Sequence, residues 1–333
     1  MSTIPLPLVD GHTLLIDNSS LEQFTTCPRA ALYSVCRRRR TSAERVPLHF
    51  GGIMHKCLDV RYRTAPAPYE QSTVVESAMI ATAGEEFVLW TPPEDEFRNY
   101  DRMVDLIHRY GQQYSFEPFN ILAFPDGRPF IETPFAVPLG RIEVNADLLV
   151  QDLILQDDIY VRSGPPTLRT VPFINILWTG RIDMAYSYSG GNYIMDHKSS
   201  SIATNMAEFE IAHQFYGYVW ATEQILGQPI NGIVINRIVV RKPTRTGEPF
   251  SFERKLISVQ RGLVDEWVTD CLHIVADFVE MVRRSYMPKH TAWCVGKFGT
   301  CQFHQVCSLD SNDQREILLG SGEYEDNTWT PLI

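Results

Sequence analysis

Two β-rich segments joined by a glycine pair bring two aspartates close together, and this feature limits the fold most strongly. The first segment contains Gly180–Asp183, the second contains Asp196–Lys198, and Gly190-Gly191 lies between them. A glycine pair between two β-rich runs is a hairpin signal. A hairpin here would place both carboxylates at one end of a sheet. Asp196 and Lys198 are two residues apart on a strand, so they would point to the same face.

Two carboxylates and an ammonium group at one point suit the cleavage of a phosphodiester bond. Mg²⁺ and Mn²⁺ prefer carboxylate oxygens and keep several waters. A bound ion of this kind polarises a phosphoryl oxygen and acidifies a water, while a lysine can orient that water and stabilise negative charge. From these residues alone, the alternative is a surface hairpin with two unrelated acids and a solvated lysine.

The rest of the chain predicts an α/β protein whose mixed sheet is flanked by helices. Capping-box spacing of Ser19 and Glu22 predicts a helix start, and Pro28 predicts the start of a second helix within residues 18–36. Further helices are predicted at 48–64, 71–90, 94–116, 205–226 and 260–285, and strands at 131–138, 141–155, 173–187, 192–196, 230–240 and 250–257. We therefore predict a helical N-terminal region (1–118), a core (119–285) with a β-rich insertion near 140–172, and a cysteine-bearing tail (286–333).

Charge and hydropathy limit the environment and the partners of the chain. The net charge of −10 argues against a general polyanion binder, although DNA needs only a local basic strip. Residues Arg37, Arg38, Arg39 and Arg40 form such a strip, with a solvated charged surface as the alternative. No apolar run reaches membrane-spanning length and the N-terminus does not resemble a signal peptide, which favours a cytoplasmic protein without a membrane partner.

Four motifs follow one another in an order that resembles the RecB-like branch of the PD-(D/E)XK nuclease superfamily. They are a helix carrying His55, then Gly180–Asp183, then Asp196–Lys198, then Gln214–Tyr218 as Q-x-x-x-Y. The resemblance covers most of the chain, and the gaps between the motifs also match. It implies a restriction-endonuclease-like core with an iron–sulfur-bearing tail, and Mg²⁺ or Mn²⁺ as the catalytic ion.

The resemblance also implies a role for each motif residue. His55, Asp183 and Asp196 would be side-chain metal ligands, with the backbone carbonyl of His197 a fourth, and Lys198 would be the catalytic lysine. Gln214 and Tyr218, one helical turn apart, would line the DNA path next to the catalytic group. Glu132 matches a glutamate of the first core strand and is interpreted as structural rather than catalytic. His49, His108 and His213 are weaker alternatives to His55, and Tyr216 and Trp220 are interpreted as packing residues.

Seven cysteines in a chain without a secretion signal argue against a disulfide framework and favour metal ligation. The family resemblance implies that Cys27 joins Cys294, Cys301 and Cys307 around a [4Fe-4S] cluster. The spacing here is C-x6-C-x5-C, whereas C-x2-C-x5-C is usual, and His304 beside the last two cysteines leaves structural Zn²⁺ as the alternative. Cys36, Cys57 and Cys271 are interpreted as ordinary buried thiols.

The resemblance implies a DNA exonuclease that acts at DNA ends in recombination, repair, phage replication or CRISPR adaptation, and a phage-encoded origin fits it. Two alternatives remain: a non-catalytic DNA-end-binding scaffold on the same fold, and a duplex endonuclease. Intact Asp183, Asp196 and Lys198 argue against the scaffold. The chain has no G-x-x-x-x-G-K-[ST] motif, so DNA unwinding would need a partner such as a helicase.

Overall fold

A computed structural model describes residues 4–43, 45–64, 69–94, 96–201, 205–245, 247–296 and 299–327. The chain forms two compact units. The first comprises Met1–Ala43, Pro134–Gly180 and Asp265–Ile333, and the second comprises Glu44–Thr133 and Arg181–Val264. Among the described residues, every helix is too short or too polar to cross a lipid bilayer.

Helices and strands alternate in an order close to the predicted one. The helices are α1 (Asn18–Thr26), α2 (Pro28–Ala31), α3 (Val46–Thr64), α4 (Thr73–Leu89), α5 (Tyr100–Gln113), α6 (His213–Leu226), α7 (Arg261–Arg283), α8 (His304–Ser308) and α9 (Asn312–Leu319). The strands are β1 (Leu6–Val9), β2 (Thr13–Ile16), β3 (Arg39–Thr41), β4 (Tyr69–Glu70), β5 (Phe116–Glu117), β6 (Asn120–Ile121), β7 (Ile131–Gln156), β8 (Ile159–Arg162), β9 (Thr167–Tyr188), β10 (Gly191–Ser200), β11 (Gly232–Val240), β12 (Phe250–Ser258), β13 (Val295–Gly296), β14 (Gly299–Thr300) and β15 (Tyr324–Asp326).

The second unit contains a mixed sheet flanked by helices. Strand β10 pairs antiparallel with β9 and parallel with β11, and β11 pairs antiparallel with β12. Buried side chains of α3, α4 and α5, including Met54, Met79 and Leu106, form one core with Met184 and Met195 of the sheet. The predicted mixed α/β fold is therefore confirmed.

The predicted hairpin between the two aspartates forms, with its turn one residue earlier than expected. Gly191 pairs with Tyr188, so Ser189 and Gly190 are the two turn residues, and both have positive φ values, 50° and 80°. Two consecutive positive φ values suit a tight turn that follows the twist of the strands. The register pairs Met195 with Met184. Asp196 and Asp183 are the next residues of the two strands beyond this pair.

The strands of the first unit also belong to a mixed sheet, and β1 and β2 correct the prediction of a helical N-terminal region. Strands β1 and β2 pair antiparallel, β1 pairs parallel with β7, and β2 pairs parallel with β9. Alternating buried residues Leu6, Leu8, Leu14 and Ile16 fill the core of this sheet. The two units are therefore not consecutive segments of the chain, because the N-terminal strands pair with strands that follow much later. The stretch 140–172 consists of the end of β7, β8 and the start of β9.

The start of α1 differs from the predicted capping box. Asp17, not Ser19, is the N-cap: its side chain accepts a hydrogen bond from the Ser20 backbone N–H, and the Ser20 hydroxyl accepts one from the Asp17 N–H. The Ser19 prediction was wrong by two residues because aspartate and serine are about equally good caps. Pro28 begins α2 as predicted, since a first-turn position needs no N–H donor.

The C-terminal part of the first unit packs on its own small core. Val306 and Leu319 of α8 and α9 pack with Tyr33, Phe303 and Tyr324. Strand β15 pairs antiparallel with β3. The predicted cysteine-bearing tail is thus structured over its described residues, whereas residues 297–298 and 328–333 lie outside them.

Candidate active site

Three side chains of the second unit meet where α3, the start of β7 and β9 come together. His55 Nδ1 lies 3.6 Å from Asp183 Oδ1 and 3.7 Å from Glu132 Oε1. One ligand atom from each residue lies within 4.8 Å of the other two. Two carboxylate oxygens and one imidazole nitrogen at this spacing suit a divalent ion such as Mg²⁺ or Mn²⁺.

Glu132 belongs to this group, although the sequence interpretation gave it a structural role. Its backbone has a φ of 44°, a left-handed conformation that is costly for a residue with a side chain. Strain of this kind persists where the surroundings impose it, and it often marks functional sites. The sequence does carry a signal for Glu132, because it matches a glutamate on the first core strand of the family. That match was interpreted as structural.

The two predicted carboxylates and the lysine lie on neighbouring strands. Asp183 Oδ2 accepts a 2.6 Å hydrogen bond from the backbone N–H of His197. Lys198 Nζ lies 3.0 Å from Asp196 Oδ1 and 2.8 Å from Oδ2, and it stands 5.8 Å from the centre of the Phe215 ring. Asp196 is buried and Lys198 is partly exposed, so the ammonium group faces the open side of the site.

Burial and neighbouring charges shift the pKa values of His55 and of the three acids Glu132, Asp183 and Asp196. Burial opposes a charge on His55, but the carboxylates of Asp183 and Glu132 outweigh burial and raise its pKa to about 10. Burial also opposes ionisation of Asp183, yet the neighbouring His55 holds the Asp183 pKa below its usual value. Burial raises the pKa of Glu132, and burial raises the pKa of Asp196 to about 6 against the effect of Lys198.

Gln214 and Tyr218 form the predicted pair on α6. Gln214 Nε2 donates a 2.8 Å hydrogen bond to the Tyr218 hydroxyl, one helical turn away. Phe215, the next residue after Gln214, is the ring beneath Lys198. Helix α6 therefore runs beside the lysine. Of the alternative histidines, His49 stacks on Trp90, His108 contacts Glu76 at 3.2 Å, and His213 begins α6.

Gly51 lies one helical turn before His55 and marks a close approach of α3 to β10. A Cβ at Gly51 would lie 2.3 Å from Ser199 Oγ and 3.5 Å from Ser199 Cβ, whereas a Cβ at Gly52 would meet nothing within 4 Å. Rotation of the Ser199 hydroxyl can make room for one methyl group. A larger side chain must push the helix, and with it His55, away from the strand.

We expect Gly51→Leu to separate His55 from the carboxylates and to lower cleavage at least ~10-fold, with a loss of ~1–3 kcal/mol in the free energy of unfolding from overpacking. Gly52→Leu is the matched control on the same helix. It should cleave DNA at the wild-type rate, because its side chain enters open space. Denaturant unfolding and cleavage assays on both variants check this, and equal behaviour of the two would contradict the packing argument.

The four predicted cluster cysteines lie in the first unit, and all four are partly exposed, unlike the buried Cys36, Cys57 and Cys271. The Cys301 backbone N–H donates to the Cys294 carbonyl at 2.9 Å across the β13–β14 hairpin. Burial raises the pKa of Cys307, and the charges of nearby Cys27 and Cys301 raise it further. Within the described residues, no three of the four sulfur atoms lie within 4.8 Å of one another. The cluster therefore stays a prediction.

The four arginines of the basic strip have partners within the first unit. Their partners are carboxylates or backbone carbonyls. Because β3 pairs with β15, the acids of β15 lie beside the arginines of β3. These exposed ion pairs contribute little to stability, so a phosphate can replace them. The partners are Glu316 for Arg37 (3.1 Å), the carbonyls of Tyr160 (2.6 Å) and Asn327 (3.3 Å) for Arg38, Asp326 for Arg39 (2.9 Å) and Glu325 for Arg40 (2.7 Å).

Residues 18–308 match the sequence model of the PD-(D/E)XK nuclease superfamily. The matched residues include the mixed sheet, its flanking helices and the group of His55, Glu132 and Asp183. The chain belongs to the PD-(D/E)XK nuclease superfamily, and the predicted family is confirmed.

Solved structures with low sequence identity cover most of the chain. A putative exonuclease from Eubacterium rectale is 11% identical, covers 92% of this chain and 93% of its own, and has a TM-score of 0.47. The protein SSO0001 is 10% identical, covers 80% of this chain and 76% of its own, and has a TM-score of 0.29. No curated protein matched the sequence.

Proposed function

We propose that this nuclease is a divalent-metal-dependent deoxyribonuclease that removes nucleotides from DNA ends. The observation that carries the proposal is the meeting of His55, Glu132 and Asp183 beside the Asp196–Lys198 pair. A binding scaffold has no need to keep three acids, an imidazole and an ammonium group together, because burying like charges costs free energy. The superfamily match supports nuclease chemistry in general.

The residues divide the work of hydrolysis between them. His55, Glu132 and Asp183 would hold a Mg²⁺ or Mn²⁺ ion, and Asp196 and the His197 carbonyl would complete the oxygen donors. Such an ion, when bound, supplies a Lewis acid and an acidified water. Lys198 would place its charge where negative charge develops on the attacked phosphate. The 2.8 Å contact with Asp196 directs the lysine side chain at the site.

Cations and hydrogen-bond donors around the site would guide the DNA. Arg181 is two residues before Asp183 on β9 and lies 3.8 Å from Glu132, with its side chain 43% exposed. Gln214 and Tyr218 would contact the DNA strand near the phosphodiester bond that is cleaved, as the family resemblance implies. Within the first unit, Arg37, Arg39 and Arg40 would bind phosphates by exchanging their surface ion pairs, and Arg38 by releasing the backbone carbonyls that it contacts.

The test is digestion of 5′- and 3′-labelled single- and double-stranded DNA with Mg²⁺ or Mn²⁺, with covalently closed circles as the control. We expect mononucleotides or short products from linear DNA and no cleavage of circles. Cleavage of circles would identify an endonuclease. DNA binding without cleavage of any substrate would support the scaffold and contradict the proposal.

We also propose that Cys27, Cys294, Cys301 and Cys307 hold a [4Fe-4S] cluster in the first unit. Three of the four sulfurs lie close enough to interact, because the charges of Cys27 and Cys301 act on the Cys307 thiol, whose pKa burial raises and Arg29 and Lys289 only partly offset. Between Cys294 and Cys301, strands β13 and β14 pair antiparallel, and the Cys301 N–H bonds to the Cys294 carbonyl, so the backbones of these two cysteines lie side by side. Structural Zn²⁺ is the alternative ligand of the same cysteines.

Protein purified without oxygen should be brown and contain iron. Cys27→Ser should lose the iron and lower the free energy of unfolding by several kcal/mol, on the scale of ~4 kcal/mol for opening a long covalent loop. Cys57→Ser is the control, because Cys57 is fully buried against Met79 and lies outside the proposed ligand set. It should keep its iron. Stoichiometric zinc without iron would establish the alternative.

A further inference from the structure

A row of hydrogen-bonded side chains crosses three strands of the second unit behind the active site. His197 of β10 is the register neighbour of Asn236 on β11, and Asn236 is the register neighbour of Arg254 on β12. Neighbours in register share a face of the sheet. His197 is 3% exposed and Asn236 is fully buried, so their polar atoms depend on one another.

The hydrogen bonds of this row fix the orientation of the Asn236 amide. Arg254 Nε lies 3.2 Å from Asn236 Oδ1, and a guanidinium group can only donate, so that atom is the amide oxygen. Asn236 Nδ2 then donates to the Tyr110 hydroxyl at 2.8 Å and lies 2.7 Å from His197 Nδ1. An amide nitrogen cannot accept. His197 Nδ1 is therefore an acceptor, and the ring proton is on Nε2.

The far end of the row is anchored by a buried ion-pair group. Arg254 NH1 lies 2.5 Å from Glu117 Oε1, and its guanidinium stands 3.7 Å from the centre of the Tyr114 ring. Glu117 is 2% exposed and also pairs with Arg61 at 3.3 Å. Arg254 is therefore held from several sides. It cannot turn its Nε away from Asn236 without leaving Glu117 without its closest cation.

At the other end of the row, the backbone of His197 on β10 contacts the carboxylate of Asp183. The His197 N–H donates to Asp183 Oδ2 at 2.6 Å, and the His197 ring stacks on Tyr62 with an interplanar angle of 2°. His197 lies between Asp196 and Lys198 in the chain. A change in the position of its ring would therefore move both neighbours together with the N–H.

We propose that Asn236 is a positioning residue: its bond to His197 Nδ1 holds β10 in the place where Asp183, Asp196 and Lys198 converge. The proposal rests on the nuclease function proposed above. Partners behind metal ligands that fix a neighbouring group typically affect metal affinity or activity 10–100-fold. Arg254 contributes by fixing the amide, and its own replacement would act through Asn236.

Asn236→Asp is the sharpest variant, because a carboxylate still accepts from Arg254 but cannot donate to His197. We expect a ~10–100-fold fall in the single-turnover cleavage rate or an equal rise in the Mn²⁺ concentration for half-maximal rate. DNA affinity in Ca²⁺ should change less than about threefold, since no phosphate contact is lost. The control is Asn231→Asp at the residue just before β11. The Asn231 amide oxygen accepts from the Asn192 N–H at 2.8 Å, a role that a carboxylate also fills, so this variant should behave as wild type.

A second measurement tests the assignment without any variant of Asn236. In metal-free wild-type protein with ¹⁵N-labelled histidine, the His197 signals, identified by their loss in His197→Gln, should show an unprotonated Nδ1 and a protonated Nε2. A proton on Nδ1, or Asn236→Asp with wild-type rate and Mn²⁺ dependence, would overturn the proposal. If the wild-type protein cleaves no DNA, the proposed function fails, whereas the ¹⁵N spectrum still decides the Asn236 assignment.

Discussion

Asp183→Asn should reduce metal-dependent DNA cleavage by roughly 10³-fold or more, because Asp183 is the carboxylate shared by every part of the site. It contacts His55 at 3.6 Å and accepts the His197 N–H at 2.6 Å. The charge stabilisation supplied by a catalytic ion is worth several kcal/mol, and each 1.36 kcal/mol changes a rate about tenfold. Asparagine keeps the size and one acceptor oxygen, so the fold should survive.

Single-turnover cleavage over a Mn²⁺ titration measures this effect, with thermal unfolding to show that the variant is folded. Asp59→Asn is the control on α3, where Asp59 forms an exposed ion pair with Arg63 one turn away. It should cleave at the wild-type rate. Full activity of Asp183→Asn would remove the proposed metal site. Glu132→Gln should also lower the rate, and full activity of that variant would restore the structural interpretation of Glu132.

The hairpin at the centre of the site was predictable because its determinants are local. A turn signal between two β-rich runs fixes the register, and alternation then decides which side chains share a face. The structure accordingly pairs Met195 with Met184, the position next to the two aspartates. The N-terminal hairpin carried a similar signal, because Asp10 and Gly11 both have positive φ values and Asp-Gly is a favoured turn pair. The sequence analysis nevertheless predicts a helical N-terminal region.

The remaining features depend on contacts between distant parts of the chain. Glu132 reaches the site through a backbone with a φ of 44°, which no neighbouring residue dictates. The partners of Arg39 and Arg40 are on β15, far away in the sequence. The bond between Asn236 and His197 requires β10 and β11 to pair in one particular register. Local propensity does not specify such pairings, so these contacts could not be predicted from the sequence alone.

The last prediction concerns Lys198, whose expected contribution is to the rate and not to binding. Lys198→Ala should slow single-turnover cleavage at least ~100-fold, the usual scale for losing one electrostatic or proton-transfer group. The reason is geometric: Lys198 is held 2.8 Å from Asp196 and its ammonium faces the open side of the site. There it can place the attacking water and offset the charge that develops on the phosphate.

Equilibrium binding separates this role from that of a phosphate anchor. In Ca²⁺, which occupies such sites while supporting little cleavage, Lys198→Ala should bind DNA within a few-fold of wild type, because the affinity comes from many phosphate contacts. Lys56→Ala is the control: Lys56 is an exposed lysine of α3 paired with Glu86 at 2.7 Å, and its loss should change neither quantity. If cleavage and binding of Lys198→Ala fell by the same factor, the lysine would be an anchor. If neither changed, the active site would not include Lys198.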